Sequence, residues 1–279
     1  SYSLAMEDGK FLIAPSNFYY LKEPIVWYGQ RILYAIVQSS KLVFFISDLL
    51  IGIVLFSALK ILKLPQYIYF SILLFFPFIT GMQNIYRQFY SSIFFLYSLA
   101  NIWEGKAIFK IYGSFLLSFL SHNIAAIFLP IIFIKSKRFA GKINFLLAFI
   151  IGSGGLFFAS YTRTTTSTDS GGEFGIAYIF LIISFSVLIL IVDKGIIKNS
   201  RRSDHKLIIT LSSISIISLF TLGDSGSERI SIFCLLIIYP LLAKIIEEKV
   251  HQKIIPRIAF TIMGFAPALI FASTRIRII

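Results

Sequence analysis

"KLVFFISDLLIGIVLFSALK", residues 41–60, is a run bracketed by lysines in which Asp48 is the single internal charge. About 20 apolar residues in a helix match the thickness of a bilayer's hydrocarbon core. Residues 42–59 therefore read as a membrane span, and the surrounding sequence repeats the pattern. Hydropathy runs separated by charged or Gly/Ser/Thr-rich breaks predict further spans near 67–82, 85–102, 107–134, 143–160, 176–192, 207–222, 230–246 and 258–274.

Composition agrees. The chain is 57% hydrophobic and 16% aromatic with 14% charged residues, against roughly 25% charged in a soluble domain. The expected fold is an all-α, polytopic integral membrane protein with about nine or ten membrane helices or half-helices in one bundle. Residues 1–41 are expected to form an external segment with an interfacial amphipathic helix, and residues 42–279 the transmembrane bundle. The polar, aromatic opening at Ser1 suggests that one or two N-terminal spans precede this stretch. After Glu23-Pro24, a plausible helix start, Ile25, Tyr28, Ile32, Ala35 and Ile36 share one helical face. A helix of that kind lies on a membrane surface.

The net charge of +13 collects in loops: Lys135, Lys137, Arg138 and Lys142; Lys194, Lys198, Arg201, Arg202 and Lys206; and Lys244, Lys249, Lys253 and Arg257. By the positive-inside rule these clusters are cytoplasmic, and the basic excess points to membrane topology rather than nucleic acid. Alternation of spans then requires 107–134 to double back near Ser121-His122-Asn123, unless it is one long tilted helix. With the doubled-back segment, seventeen of the 26 Lys and Arg fall inside. The lone cysteine, Cys234, excludes a disulfide framework or a cysteine metal site.

Few cations remain on the external side. Arg87, Arg163 and Arg229 stand singly at span ends, with His122 at the same level. A charge at membrane depth normally faces a cavity and often marks a substrate path. Asn84, Arg87, Gln88 and Ser91 recur at helical spacing as a polar stripe, and Ser114, Ser118, Ser121 and His122 form a similar face in the next segment. Two such faces predict a cavity between helices. Asp48, in mid-span, is expected to be neutral or paired. Glu7, Asp8 and Glu23 are external carboxylates able to act as acid or base, and Tyr19, Tyr20, Trp27 and Tyr28 offer faces for sugars. Signatures of nucleotide hydrolysis (GxxxxGK[ST]), zinc hydrolysis (HExxH) and hydrolase-type acyl transfer (GxSxG) are absent from the sequence. Arginine offers planar, bidentate donors suited to phosphate and stays charged. A membrane-anchored diphosphate is its natural ligand here.

"KEPIVWYGQRIL" (22–33), "GMQNIYRQFYSSIFFLYSLA" (81–100), "FLSHNIAAIFLPIIF" (119–133) and "SERISIFCLLIIYPLL" (227–242) together resemble the EpsG-like, Wzy-type polysaccharide polymerases of bacterial inner membranes. The resemblance implies polymerisation of O-antigen, capsule or exopolysaccharide repeat units carried on undecaprenyl diphosphate. The growing chain would pass to the next lipid-linked unit at the external face. It implies catalytic roles for Arg87, His122 and Arg229, with Arg87 and Gln88 on the diphosphate, His122 in acid/base or phosphate-binding duty and Arg229 as a second anionic contact. Asn84, Gln88, Arg163, Ser121, Glu23 and Tyr28 join them as substrate-binding candidates. The mechanism needs no metal and no cofactor. Expected partners are the lipid-linked oligosaccharide, membrane lipids and a chain-length regulator protein, with no nucleic acid. Two rivals are a lipid-linked-oligosaccharide flippase, which should show internal repeats, and a membrane acyltransferase using a histidine with a cytoplasmic acyl donor.

Overall fold

A computed structural model describes residues 23–135, 175–192, 202–249 and 254–275, with isolated positions at 146, 150 and 154. Residues 1–22, most of the segment expected to be external, nearly all of the span expected at 143–160 and the loop carrying Arg163 lie outside the described residues. Among the described residues every regular element is helical. In chain order these are α1 Pro24–Val37, α2 Ser40–Ile61, α3 Gln66–Leu74, α4 Phe76–Asn84, α5 Tyr86–Trp103, α6 Ile108–Ser121, a 3-10 turn Asn123–Phe128, α7 Leu129–Lys135, α8 Gly175–Val192, α9 Arg202–Lys249 and α10 Ile254–Arg275. Helix α2 and the two arms of α9, Leu207–Asp224 and Gly226–Glu247, are each long and apolar enough to cross a membrane. The protein is an all-α, multi-pass membrane protein.

The helices group into two compact units, Ser1–Ile61 with Arg87–Ala126, and Leu62–Tyr86 with Ile127–Ile279. In the first, α2 turns Leu42, Phe45, Leu49, Ile53 and Phe56 outward and buries Val43, Ser47, Ile51, Leu55, Ala58 and Leu59. An apolar outer surface with serine inside is the arrangement a lipid-embedded helix requires. Helix α1 shows the same inversion: Ile32 and Ile36 are exposed, while Glu23, Val26 and Gln30 are buried. Its start is set by Pro24, whose missing N–H costs nothing in a first turn.

Helices α5 and α6 run antiparallel in a register fixed by serines. Ser91 Oγ donates to the Ser118 carbonyl at 2.8 Å, Ser118 Oγ donates back to the Ser91 carbonyl at 2.7 Å, and Ser98 Oγ donates to the Ile111 carbonyl at 2.8 Å. Small side chains let the two backbones approach closely enough for these bonds. The polar faces predicted to enclose a cavity are therefore joined directly along this stretch.

The second unit departs from the predicted spans at 67–82. The span expected at 67–82 is two short helices, α3 and α4, with extended backbone at Phe75 between them. Pro77 accounts for the break: it has no N–H to continue the ladder and its ring crowds the carbonyl of the preceding turn. Phe75 then stacks on Tyr239 at 4.1 Å between ring centroids, and Tyr239 on Phe260 at 4.2 Å, a buried core joining α9 and α10. The spans expected at 207–222 and 230–246 correspond to the two arms of α9, which part at Gly223, where φ is +67° and the backbone is not helical. At this bend Asp224 Oδ1 accepts the Ile176 N–H at 3.1 Å, closing the start of α8. Gly175 is required there, because an added Cβ would lie 2.5 Å from the Asp224 carbonyl.

Candidate functional site

Three residues far apart in sequence meet in the first unit. The serine register places the start of α5 level with the end of α6, and so Arg87 beside His122. Glu23, at the head of α1, reaches both. Arg87 Nη1 donates to Glu23 Oε2, and His122 Nε2 lies 3.4 Å from Glu23 Oε1, one partner on each oxygen of a single carboxylate. Glu23 makes no side-chain capping bond to its own helix. A carboxylate well placed to cap α1 is turned instead to the arginine and the histidine.

Helix α1 supplies more of the site. Glu23, Trp27 and Gln30 follow at spacings of four and three and share a face. The Arg87 guanidinium carbon sits 5.3 Å from the Trp27 ring centroid, within cation–π range. Gln30 is 3% exposed, and its Nε2 is buried with no hydrogen-bond partner among the described residues; the same holds for the Tyr28 hydroxyl. Buried donors without partners are costly and rare. Gln30 was absent from the candidate site residues, although it lies in the stretch 22–33 that carried the resemblance, one turn beyond Trp27.

His122 owes its orientation to a backbone break. Helix α6 ends at Ser121, His122 is extended (φ −160°, ψ 132°), and its Nδ1 accepts the Ile124 N–H at 3.1 Å at the start of the 3-10 turn. An accepting Nδ1 puts the proton of the neutral ring on Nε2, the nitrogen facing Glu23. The chain does break at Ser121-His122-Asn123, where the sequence suggested a turn.

The other candidates are placed as follows. Gln88 is buried on α5. Ser121 is buried, but its hydroxyl donates to the Leu117 carbonyl of its own helix at 2.8 Å. Asn84 ends α4, and Ile85 (φ −131°, ψ 43°) interrupts the helical repeat between it and Arg87, Gln88 and Ser91. Arg229 belongs to the second unit, exposed on α9 just after the bend. Asp48 accepts a hydrogen bond from the Tyr90 hydroxyl at 2.9 Å, so a hydroxyl on α5 helps hold this mid-span carboxyl.

A buried carboxylate shared by an arginine and a histidine, with an aromatic beside the cation, is equipped to bind an anion and to move a proton. Comparison with known families finds a match to the EpsG family over residues 9–277. The chain belongs to the EpsG family. EpsG-like proteins are Wzy-type polysaccharide polymerases, and the family supports a membrane polysaccharide polymerase in general terms. No curated protein and no solved structure matches the chain.

Proposed function

We propose that this EpsG-family protein joins glycan repeat units carried on undecaprenyl diphosphate, transferring the growing chain onto the next lipid-linked unit at the external face of a bacterial inner membrane. The observation that carries this reading is Arg87, held at the head of α5 between Glu23 and Trp27 with His122 on the same carboxylate. Arginine matches a diphosphate in charge and geometry. Charge builds on the diphosphate as its bond to the anomeric carbon breaks, and a fixed guanidinium stabilises that charge without reorganising. Such a mechanism uses no metal. Gln30 and Tyr28, with buried polar atoms lacking partners among the described residues, are the groups suited to sugar hydroxyls. Arg229 and Arg163 are kept as further anion contacts, each to be tested by itself.

The test is the glycan profile of cells lacking the native protein and expressing the full-length version with Arg87→Ala or Arg87→Lys at matched membrane levels. Long polymer is expected to disappear while single repeat units still reach the outside, and lysine is expected not to restore it. Repeat units accumulating on the cytoplasmic side would instead identify a transporter.

A further inference from the structure

We infer that Glu23 is the group that takes the proton from the acceptor hydroxyl, and that Arg87 restrains it until a diphosphate claims the guanidinium. The inference rests on the polymerase reading and assigns the base that reading leaves open.

His122 is poorly arranged to be that base. Its Nδ1 is occupied by the Ile124 N–H, and Nε2, the nitrogen this leaves protonated, lies 3.4 Å from Glu23 Oε1. A ring so arranged donates; it has no lone pair directed at a substrate. Glu23 is the acceptor both partners face, with Arg87 on one oxygen and His122 on the other. His122 is thus a positioning residue: anchored by the chain break, it fixes one carboxylate oxygen, as the third group of a triad fixes its histidine.

Exposure orders the events. The Glu23 side chain is 7% exposed, against 20% for Arg87 and 22% for His122. An incoming anion meets the guanidinium before the carboxylate. While Arg87 holds Glu23, the charged carboxylate is favoured and is a weak base. A diphosphate that draws the guanidinium away raises the basicity of Glu23 at the moment a donor is in place. The acceptor hydroxyl oxygen then bonds to the anomeric carbon, its proton passes to Glu23, and the anomeric carbon–oxygen bond breaks with its electron pair leaving on the lipid diphosphate. In effect Glu23 occupies the anion's place on Arg87 in the empty protein, which would keep the base idle when no donor is bound.

The experiment pairs polymer formation in cells with binding of undecaprenyl diphosphate to the purified full-length protein in nanodiscs. Glu23→Gln preserves shape and is expected to cut polymerisation by about 100-fold or more, the range of a lost general base. Its affinity for undecaprenyl diphosphate should equal or exceed that of wild type, because the internal competitor has lost its charge. Arg87→Ala should lose that binding. His122→Gln, which can still present an N–H to Glu23, should retain clearly more activity than His122→Ala. Polymer from Glu23→Gln within about tenfold of wild type overturns the assignment of the base while leaving the polymerase reading intact. Diphosphate binding lost in Glu23→Gln as fully as in Arg87→Ala overturns the exchange, making Glu23 a scaffold for the cation. Equal inactivity of His122→Gln and His122→Ala overturns the positioning role. A wild-type protein that binds no undecaprenyl diphosphate removes the polymerase reading and this inference with it.

Discussion

Each unit of the molecule contains an arginine set between a glutamate and an aromatic ring. In the second, Arg257 donates through Nε and Nη2 to the two oxygens of Glu247 at 2.6 and 2.8 Å, and its guanidinium carbon lies 5.1 Å from the Tyr67 ring centroid. In the first, Arg87 Nη1 donates to Oε2 of Glu23, and Trp27 lies at 5.3 Å. The parts are alike and the wiring differs. Glu247 gives both oxygens to one guanidinium, a fork-to-fork pair that joins the end of α9 to the start of α10, ten residues apart. Glu23 has Arg87 on one oxygen and His122 by the other, from two distant segments, and its carboxylate is the more deeply buried. A carboxylate closed by a bidentate arginine is a clasp. One shared between a cation and an imidazole can change partners.

The largest expected difference between the two follows directly. Arg87→Ala should reduce polymer by roughly 100- to 1000-fold, the loss typical of a preorganised group that stabilises transition-state charge, while the protein still reaches the membrane folded. Arg257→Ala should leave polymer length and yield unchanged and lower the thermal midpoint of the purified protein by a few degrees. Glycan gels and a thermal-shift assay on the same two variants decide it. If Arg257→Ala abolishes polymer at normal stability, the contrast between clasp and site is wrong.

A smaller effect is expected at Gln30. Its buried Nε2 has no partner among the described residues, so Gln30→Leu should be neutral or stabilising if nothing binds there, since an apolar group relieves a buried unpaired donor. If the donor serves a sugar hydroxyl, the same change should lower polymerisation about tenfold with stability unharmed or improved. That divergence of activity from stability is the expected outcome, and matched losses in both would return Gln30 to packing.

Much of this was legible in the sequence. Helices α2, α5, α8 and α10 follow the hydropathy runs closely, because a lipid-facing surface and a packed interior, which encloses α5, both demand apolar sequence and nothing local opposes it. The failures are local. Hydropathy ran through Pro77 because apolar residues flank it, and the polar stripe ran from Asn84 across Ile85, because a backbone break changes neither hydropathy nor residue spacing. The site was half visible. Arg87 and His122 stood out as charge and imidazole at membrane depth, but Glu23 looked like one external carboxylate among three. Its partners lie about sixty to a hundred residues away, and only the α5–α6 serine register, together with the placement of α1, brings them to it. The periodicity that located the serines marked a polar face without saying that it would close on another.

The smallest expected effect lies in the aromatic faces, and it tests the comparison most finely. A cation–π contact is worth about 0.5–2 kcal/mol depending on desolvation. If Trp27 holds the Arg87 guanidinium in place for an exchanging ligand, Trp27→Leu should lower polymerisation about three- to tenfold, within that range, and Trp27→Phe, which keeps a ring, should recover part of it. Tyr67→Leu should cost thermal stability with no change in polymer, because Arg257 remains clasped by both oxygens of Glu247. The phenylalanine variant separates the two roles of Trp27: loss of buried surface follows side-chain size, whereas loss of cation placement follows loss of the ring. Should Trp27→Leu lose only stability, as Tyr67→Leu is expected to, the ring beside Arg87 is packing like its counterpart. The functional difference between the two arginines would then rest on how Glu23 and Glu247 distribute their oxygens.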